Sequence, residues 1–126
     1  MEFDAIIQNL KKKIVHPIYL LQGEEPYYID EISDYIEKNV LTEAEKGFNQ
    51  TIFYGKDSNA MTIAESCLRF PMMAQRQVII VKEAQSLAKI DILASYAEKP
   101  LASTVLVLNY KYKNLDSRTK IFVFVI

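Results

Sequence analysis

Apolar residues recur at two different spacings along this chain, and the two patterns alternate. Short, continuous apolar runs are typical of strands that are buried on both faces of a parallel sheet, and they lie at residues 18–22, 77–81 and 103–109. Residues 48–55 instead alternate apolar and polar side chains and are rich in β-branched and aromatic residues, which predicts a fourth strand.

Between these strands, apolar residues recur at the three- and four-residue spacing of an amphipathic helix. Pro26 suits the first turn of such a helix, and Pro100 ends the last one. The pattern predicts four helices, over residues 2–14, 28–40, 60–70 and 84–97. Helices that alternate with buried strands predict an α/β fold, a parallel sheet of four to five strands with helices on both faces.

Composition limits the class of protein. The 126 residues suit one domain, and a net charge of -1 argues against a broad basic face for nucleic acid. Cys67 is the single cysteine, so no intramolecular disulfide forms, and its apolar helical setting predicts a small core residue. No run of about 18 apolar residues occurs, so we expect no membrane span and a cytoplasmic location.

In a parallel sheet, ligands bind where the strands end, and the first strand ends in "QGEEPYYID". A P-loop there would need Gly-x-x-x-x-Gly-Lys-Ser/Thr, whose backbone N–H groups and lysine bind the phosphates. This turn offers one glycine, Gly23, and no lysine. Glu24 and Glu25 stand where phosphate would approach, and Pro26 removes a backbone donor. We therefore expect no phosphate binding at this turn.

The residues at the ends of two later strands also bear on nucleotide binding. Lys82 follows "VIIV", where a P-loop enzyme places a carboxylate for magnesium. Asn109 ends the fourth strand, where related ATPases place a polar sensor, although asparagine is also an ordinary turn residue. We predict a degenerate nucleotide site with no cofactor, metal or catalytic residue, formed by Gly23, Glu24, Glu25, Lys82 and Asn109.

Other catalytic patterns are also missing from the sequence. His16 is the one histidine and precedes a proline in a loop, and neither Cys-x-x-Cys nor Gly-x-Ser-x-Gly occurs. Two alternatives stay open at this point: a nucleotide-binding enzyme with an unusual phosphate loop, and a generic α/β protein-interaction domain.

Four segments together resemble a known family, the delta subunit of bacterial DNA polymerase III, which belongs to the sliding-clamp loader. The segments are "PIYLLQGEEPYYIDE", "RFPMMAQRQVIIVKEA", "STVLVLNY" and "KNLDSRTK". They lie within residues 16–120, in the order and at the spacing of the family's N-terminal domain. The resemblance implies an AAA+-like, P-loop-NTPase-like fold that lacks a functional P-loop. It also implies the strand order 2-3-4-1 and a fifth position beside the first strand, although we expect that first strand to be central.

The resemblance further implies binding to the sliding clamp (beta) and help in opening it for loading onto DNA during replication. A hydrophobic pair after the third helix would enter the clamp's apolar pocket. The implied contact residues are Phe70, Pro71, Met72 and Met73. The commoner family pair is Leu-Phe, and the alternative is that these side chains are simply core at a helix end.

Finally, the resemblance predicts how the chain divides. Residues 1–120 would form the N-terminal domain, and the family's middle and collar domains would be absent. This domain would be non-catalytic, although the family's holoenzyme is a DNA-directed DNA polymerase. Those domains would contact the delta prime and gamma/tau subunits, and DNA would be touched only indirectly. The apolar residues 121–126 depart from the family, as an extraneous sticky segment or as a makeshift fifth strand.

Overall fold

The computed structural model describes residues 3–112. It contains five α-helices and four strands in this range. The helices are α1 (Phe3–Lys11), α2 (Pro26–Asn39), α3 (Glu43–Asn49), α4 (Ala60–Cys67) and α5 (Ile92–Glu98). The strands are β1 (Ile18–Gly23), β2 (Gln50–Tyr54), β3 (Gln77–Lys82) and β4 (Thr104–Lys111).

The four strands form one parallel sheet in the order β1-β4-β3-β2. This is the predicted order 2-3-4-1, read from the other end, so that prediction is confirmed. Among the described residues β1 lies at one end of the sheet, and the expectation of a central first strand is wrong for this range. The tail at residues 121–126, predicted as a possible neighbour of β1, lies outside the described residues.

Helices cover both faces of the sheet, as the apolar runs predicted. On one face, α1 and α2 pack through Ile6, Ile29 and Ile32 against side chains of β1, β3 and β4. On the other face, α4 and α5 pack through Ile63 and Leu93 against the same strands. Each strand residue points to one face or the other, so the two buried clusters share the sheet between them.

The segment before β2 differs from the prediction. Phe48 and Asn49, predicted to begin a strand, end α3 instead, and β2 starts at Gln50. A capping box stabilises the start of α3, because Thr42 Oγ1 accepts from Glu45 N–H and Glu45 Oε1 accepts from Thr42 N–H. That Thr-x-x-Glu signal is present in the sequence and was overlooked.

The predicted helix over residues 84–97 is confirmed only in its second part. The chain forms a single 3-10 turn at Ala84–Ser86 and becomes α-helical only at Ile92. Lys89, within the predicted range, has a φ angle of 56°, in the left-handed region that a continuous right-handed helix excludes.

Two helix ends move as well. Helix α1 ends at Lys11, three residues before the predicted position, and Lys13 adopts a φ of 65°. Helix α4 ends at Cys67, so Leu68, Arg69 and Phe70 lie beyond it. No helix within residues 3–112 is long and apolar enough to cross a membrane.

Candidate functional site

Parallel strands give the sheet two chemically different edges. We call the edge where the strands begin the amino edge and the edge where they end the carboxyl edge. The predicted nucleotide-site residues lie at or near the ends of β1, β3 and β4, or directly after β1, and therefore lie on the carboxyl edge. Residues 68–76, which we call the tip, connect α4 to the start of β3 and therefore lie on the amino edge. The two predicted sites are thus at opposite ends of the strands.

On the carboxyl edge, the turn after β1 is short. Gly23 has a φ of 147°, which favours glycine, and its carbonyl accepts a 2.8 Å hydrogen bond from the N–H of Tyr112. Glu24 and Glu25 are exposed, and Glu25 precedes α2 without making a side-chain cap. The start of this helix therefore has two exposed carboxylates before it and a proline in its first turn, in place of a glycine-rich loop.

Helix α2 crosses the ends of the neighbouring strands with a row of polar side chains. Asp30, Ser33 and Glu37 are spaced three and four residues apart, which places them on one side of the helix. Ser33 Oγ accepts a 3.0 Å hydrogen bond from Asn109 Nδ2, and both residues are buried. Asn109, the predicted sensor, is therefore held by α2, and its Oδ1 is buried without a hydrogen-bond partner.

The lysine in the predicted metal position is paired within the chain. Lys82 Nζ lies 3.4 Å from Glu37 Oε1, and both side chains are about seven-tenths buried. The geometry is that of an ion pair without a hydrogen bond, because this Glu37 oxygen has no hydrogen-bond partner. A magnesium ion here would meet an ammonium group in place of a carboxylate.

A second lysine of this edge, at the end of β4, was not singled out from the sequence. Lys111 Nζ lies 2.9 Å from Asp30 Oδ1 and 3.2 Å from Glu83 Oε2. Burial alone lowers the pKa of Lys111, but hydrogen bonds and charge attraction from the two carboxylates outweigh it and raise the pKa. Both lysines are thus neutralised internally, and within residues 3–112 no cluster of potential metal ligands forms.

The tip is the most exposed apolar part of the described chain. Phe70 is 78% exposed, Met72 is 59% exposed and Met73 is 97% exposed. The alternative that these side chains are core at a helix end is therefore wrong. Pro71, between them, is intermediate in burial. Apolar side chains of this size exposed together are typical of a surface that binds another protein.

The backbone of the tip is tied to the sheet by two buried amides that sequence reasoning missed. Gln77, the first residue of β3, points its Nε2 at the carbonyls of Ser66 (3.0 Å) and Arg69 (2.6 Å) and at Thr104 Oγ1 (2.9 Å). Thr104 Oγ1 in turn donates to the carbonyl of Cys67 at 2.7 Å. The Cys67 and Arg69 carbonyls, at and beyond the end of α4, thus gain side-chain donors, and the Ser66 carbonyl also accepts from the N–H of Arg69 at 3.3 Å.

The second amide belongs to Asn49, the last residue of α3. Its Oδ1 accepts from the N–H of Met72 at 2.7 Å, and its Nδ2 donates to the Met72 carbonyl at 2.8 Å. The preceding residue, Phe48, is 79% exposed, so α3 brings a further apolar side chain to the amino edge. Asn49 and Met72 are 23 residues apart in the sequence, and no periodicity predicts a contact between them.

The fold and the two edges define an AAA+-like α/β domain in which the lysine predicted to stand at the metal position forms an ion pair within the chain. The family model described as DNA polymerase III, delta subunit, matches residues 19–125, and the chain belongs to this family.

Individual relatives agree with that assignment. DNA polymerase III subunit delta of Bacillus subtilis (strain 168) is 32% identical over 131 residues, which cover 96% of this chain and 38% of the relative. The solved structure of the Bacillus subtilis DNA clamp loader delta protein matches with a TM-score of 0.80 at 29% identity, over 95% of this chain and 38% of that one.

A more distant structure shows the fold alone. The gamma subunit-related protein of DNA polymerase III from Thermotoga maritima matches with a TM-score of 0.64 at 18% identity, over 100% of this chain and 46% of that one. This chain therefore spans less than half the length of each of these three relatives.

Proposed function

We propose that this domain is the clamp-binding domain of a replication clamp loader. In this role its tip binds the sliding clamp and helps to open it for loading onto DNA. The observation that carries the proposal is the exposure of Phe70, Met72 and Met73 on one short segment whose backbone is fixed by hydrogen bonds to buried amides. Membership of the delta-subunit family supports the sliding clamp as the proposed partner.

The chemistry of the tip suits a protein pocket. Methionine is flexible and polarizable, so two adjacent methionines adapt to an apolar cavity without a unique fit. Phenylalanine adds a large rigid surface of the kind that contributes most binding free energy at protein interfaces. The domain then acts by contact and not by catalysis, and the remaining subunits of the loader, delta prime and gamma/tau, bind other parts of a full-length delta subunit.

The carboxyl edge supports the same proposal from the opposite side. Glu24 and Glu25 are exposed where phosphate would approach, while Lys82 is paired with Glu37. A nucleotide would have to displace these internal pairs and overcome the repulsion of the carboxylates. The AAA+-like scaffold is retained here as a support for the tip.

The experiment that tests the proposal is surface plasmon resonance with the cognate sliding clamp immobilised and the purified domain in solution. We expect saturable binding that is competed by free clamp and is unchanged by ATP and magnesium. Absence of saturable binding by a folded domain would overturn the proposal. Binding that appears only with ATP would favour the alternative of a nucleotide-dependent module.

A further inference from the structure

Asn49 occupies an unusual position between α3 and the tip. It is 3% exposed and makes three hydrogen bonds, two with the backbone of Met72 and one from Nδ2 to the carbonyl of Glu45, at 3.0 Å. The two bonds to Met72 have lengths of 2.7 and 2.8 Å and engage both the N–H and the carbonyl of one residue. The amide thus binds that residue as a neighbouring strand would.

This contact depends on the chemistry of asparagine. A side-chain amide carries one acceptor and one donor group a short distance from the backbone, so it satisfies an N–H and a carbonyl at once. Aspartate would offer only acceptors and would face the Met72 carbonyl with a like charge. Alanine would remove this partner from both backbone groups of Met72.

The next residue, Met73, has an unfavourable backbone conformation. Met73 has a φ of 55°, in the left-handed region that is costly for a residue with a long side chain. Its side chain is 97% exposed, so burial of that side chain does not fix the backbone. Such strain persists only where the surroundings determine the conformation, and the adjacent Asn49–Met72 pair of hydrogen bonds does so.

We infer that Asn49 is a positioning residue for the tip: it fixes the backbone of Met72 and thereby directs the Met72 and Met73 side chains outward for the clamp. The inference rests on the proposed function for the identity of the partner. Asn49 itself is buried and does not touch the clamp. It acts by reducing the number of tip conformations, so binding loses less conformational entropy.

Asn39 provides a matched control for the hydrogen bond that Asn49 makes within its own helix. Asn39 ends α2 and donates from Nδ2 to the carbonyl of Tyr35 at 3.0 Å, the same contact with the residue four positions earlier that Asn49 makes with Glu45. Asn39 lies on a different helix and is exposed. Asn39→Ala therefore removes the local contact without changing the hydrogen bonds of Met72.

Two measurements on Asn49→Ala and Asn39→Ala, each in the otherwise intact chain, test the inference. The first is amide hydrogen exchange at Met72, which needs no partner. We expect exchange to accelerate at least about tenfold in Asn49→Ala and to stay unchanged in Asn39→Ala, because a lost hydrogen bond is worth about 1 kcal/mol and a second is lost with it. Asn49→Ser serves if Asn49→Ala does not fold.

The second measurement is affinity for the immobilised clamp, in the wild-type tip and in a Met73→Ala background. We expect Asn49→Ala to weaken binding about tenfold in the wild-type tip, which corresponds to about 1.4 kcal/mol. In the Met73→Ala background we expect a clearly smaller loss, because part of what Asn49 positions has been removed. A role in global stability would give the same loss in both backgrounds.

The outcomes separate this inference from the proposed function. Unchanged exchange at Met72, or a folded Asn49→Ala with clamp affinity within about twofold of wild type, would overturn the positioning role. Full additivity with Met73→Ala would do the same. If the wild-type domain does not bind the clamp, the proposed function fails and the directing of the tip toward the clamp fails with it. Faster exchange in Asn49→Ala would then still show that Asn49 fixes the backbone of the tip.

Discussion

Lys82 at the end of β3 forms an ion pair with Glu37 of α2, with Nζ and Oε1 3.4 Å apart. The pair lies at the position that the sequence predicted for the metal of a P-loop enzyme. Glu37 belongs to the helix that follows Glu24 and Glu25, so exposed carboxylates precede this helix and a residue near its end pairs with the lysine. The carboxyl edge is therefore closed by internal charge pairing.

From this relationship we predict that ATP with magnesium does not stabilise the folded domain. A ligand at about 100 times its dissociation constant would add about 2.7 kcal/mol to the free energy of unfolding and raise the melting temperature by several degrees. A thermal melt with and without millimolar ATP and magnesium measures this directly. A reproducible, saturable rise in melting temperature would contradict the closed edge.

A second prediction concerns two glycines that differ in their surroundings. A Cβ at Gly55 would lie 2.1 Å from the carbonyl oxygen of Glu83, whereas a Cβ at Gly47, within α3, would meet nothing within 4 Å. We expect Gly55→Ala to destabilise the fold by about 1–3 kcal/mol or more through overpacking. Gly47→Ala should stabilise it by about 0.5–1 kcal/mol, because alanine loses less backbone entropy in a helix.

Urea unfolding of both variants is the measurement, and the opposite signs make each glycine the control for the other. If Gly55→Ala unfolds at the wild-type urea concentration, the close contact between Gly55 and Glu83 is not a constraint on the fold. The contact lies where the chain leaves β3, because Glu83 directly follows this strand and has a left-handed φ of 54°.

The continuous apolar strands were the part of the fold that the sequence predicted best. Consecutive residues such as Ile79 and Ile80 are buried on opposite faces of the parallel sheet, so the run of apolar residues is continuous and typical of a buried strand. Helix α3 was missed because only seven residues form it and its cap, Thr42 with Glu45, is a weaker signal than the aromatic residues that follow. The helix predicted over residues 84–97 forms only in its second part, because the left-handed φ angle at Lys89 cannot be deduced from apolar spacing.

The candidate sites likewise include features that the sequence predicts and features that it does not. The absence of a P-loop could be read from Gly23, Glu24 and Glu25, because that motif is local. The exposure of Phe70 and Met73 could not, because a helix end buries or exposes its side chains according to partners that are distant in sequence. Asn49 and Gln77 were missed for this reason: their partners in space are up to 27 residues away.

A third prediction follows from the buried amide of Gln77. Gln77→Leu should lower the free energy of unfolding by about 1–3 kcal/mol, because the carbonyls of Ser66 and Arg69 would lose a donor. Gln75→Leu is the matched control, because Gln75 is exposed and only two residues away. Thermal melts of the two variants decide the matter, and equal melting temperatures would show that Gln77 does not secure the end of α4.

A fourth prediction concerns the thiol of Cys67, which is buried in the core. Burial raises its pKa from 9.0 to about 12, so between these values the folded state keeps a proton that the unfolded state releases. The contribution of this group to stability is therefore complete below pH 9 and is lost as the pH rises toward 12. At pH 8 we expect iodoacetamide to modify Cys67 only in denaturant.

Mass spectrometry of the native and urea-unfolded protein after the same exposure to iodoacetamide measures that protection. A Cys67→Ala variant should also lose stability less steeply than wild type between pH 9 and 11, because it lacks the titrating thiol. Burial also raises the pKa values of Tyr19 and Tyr96, but these residues are present in both proteins and do not change the comparison. Rapid modification of the native protein would show that the core around α4 opens readily.

The measurement that tests the central claim most directly is the affinity of a Met72→Ala, Met73→Ala variant for the immobilised sliding clamp, with Met61→Ala as the control. Met61 is a methionine of similar exposure to Met72, 52% against 59%, on the surface of α4 and not on the tip. Truncating buried anchors at an interface costs about 2 kcal/mol or more, so we predict at least about 30-fold weaker binding with an unchanged melting temperature. Met61→Ala should bind as wild type does. A folded double variant that binds the clamp as tightly as wild type would contradict the account.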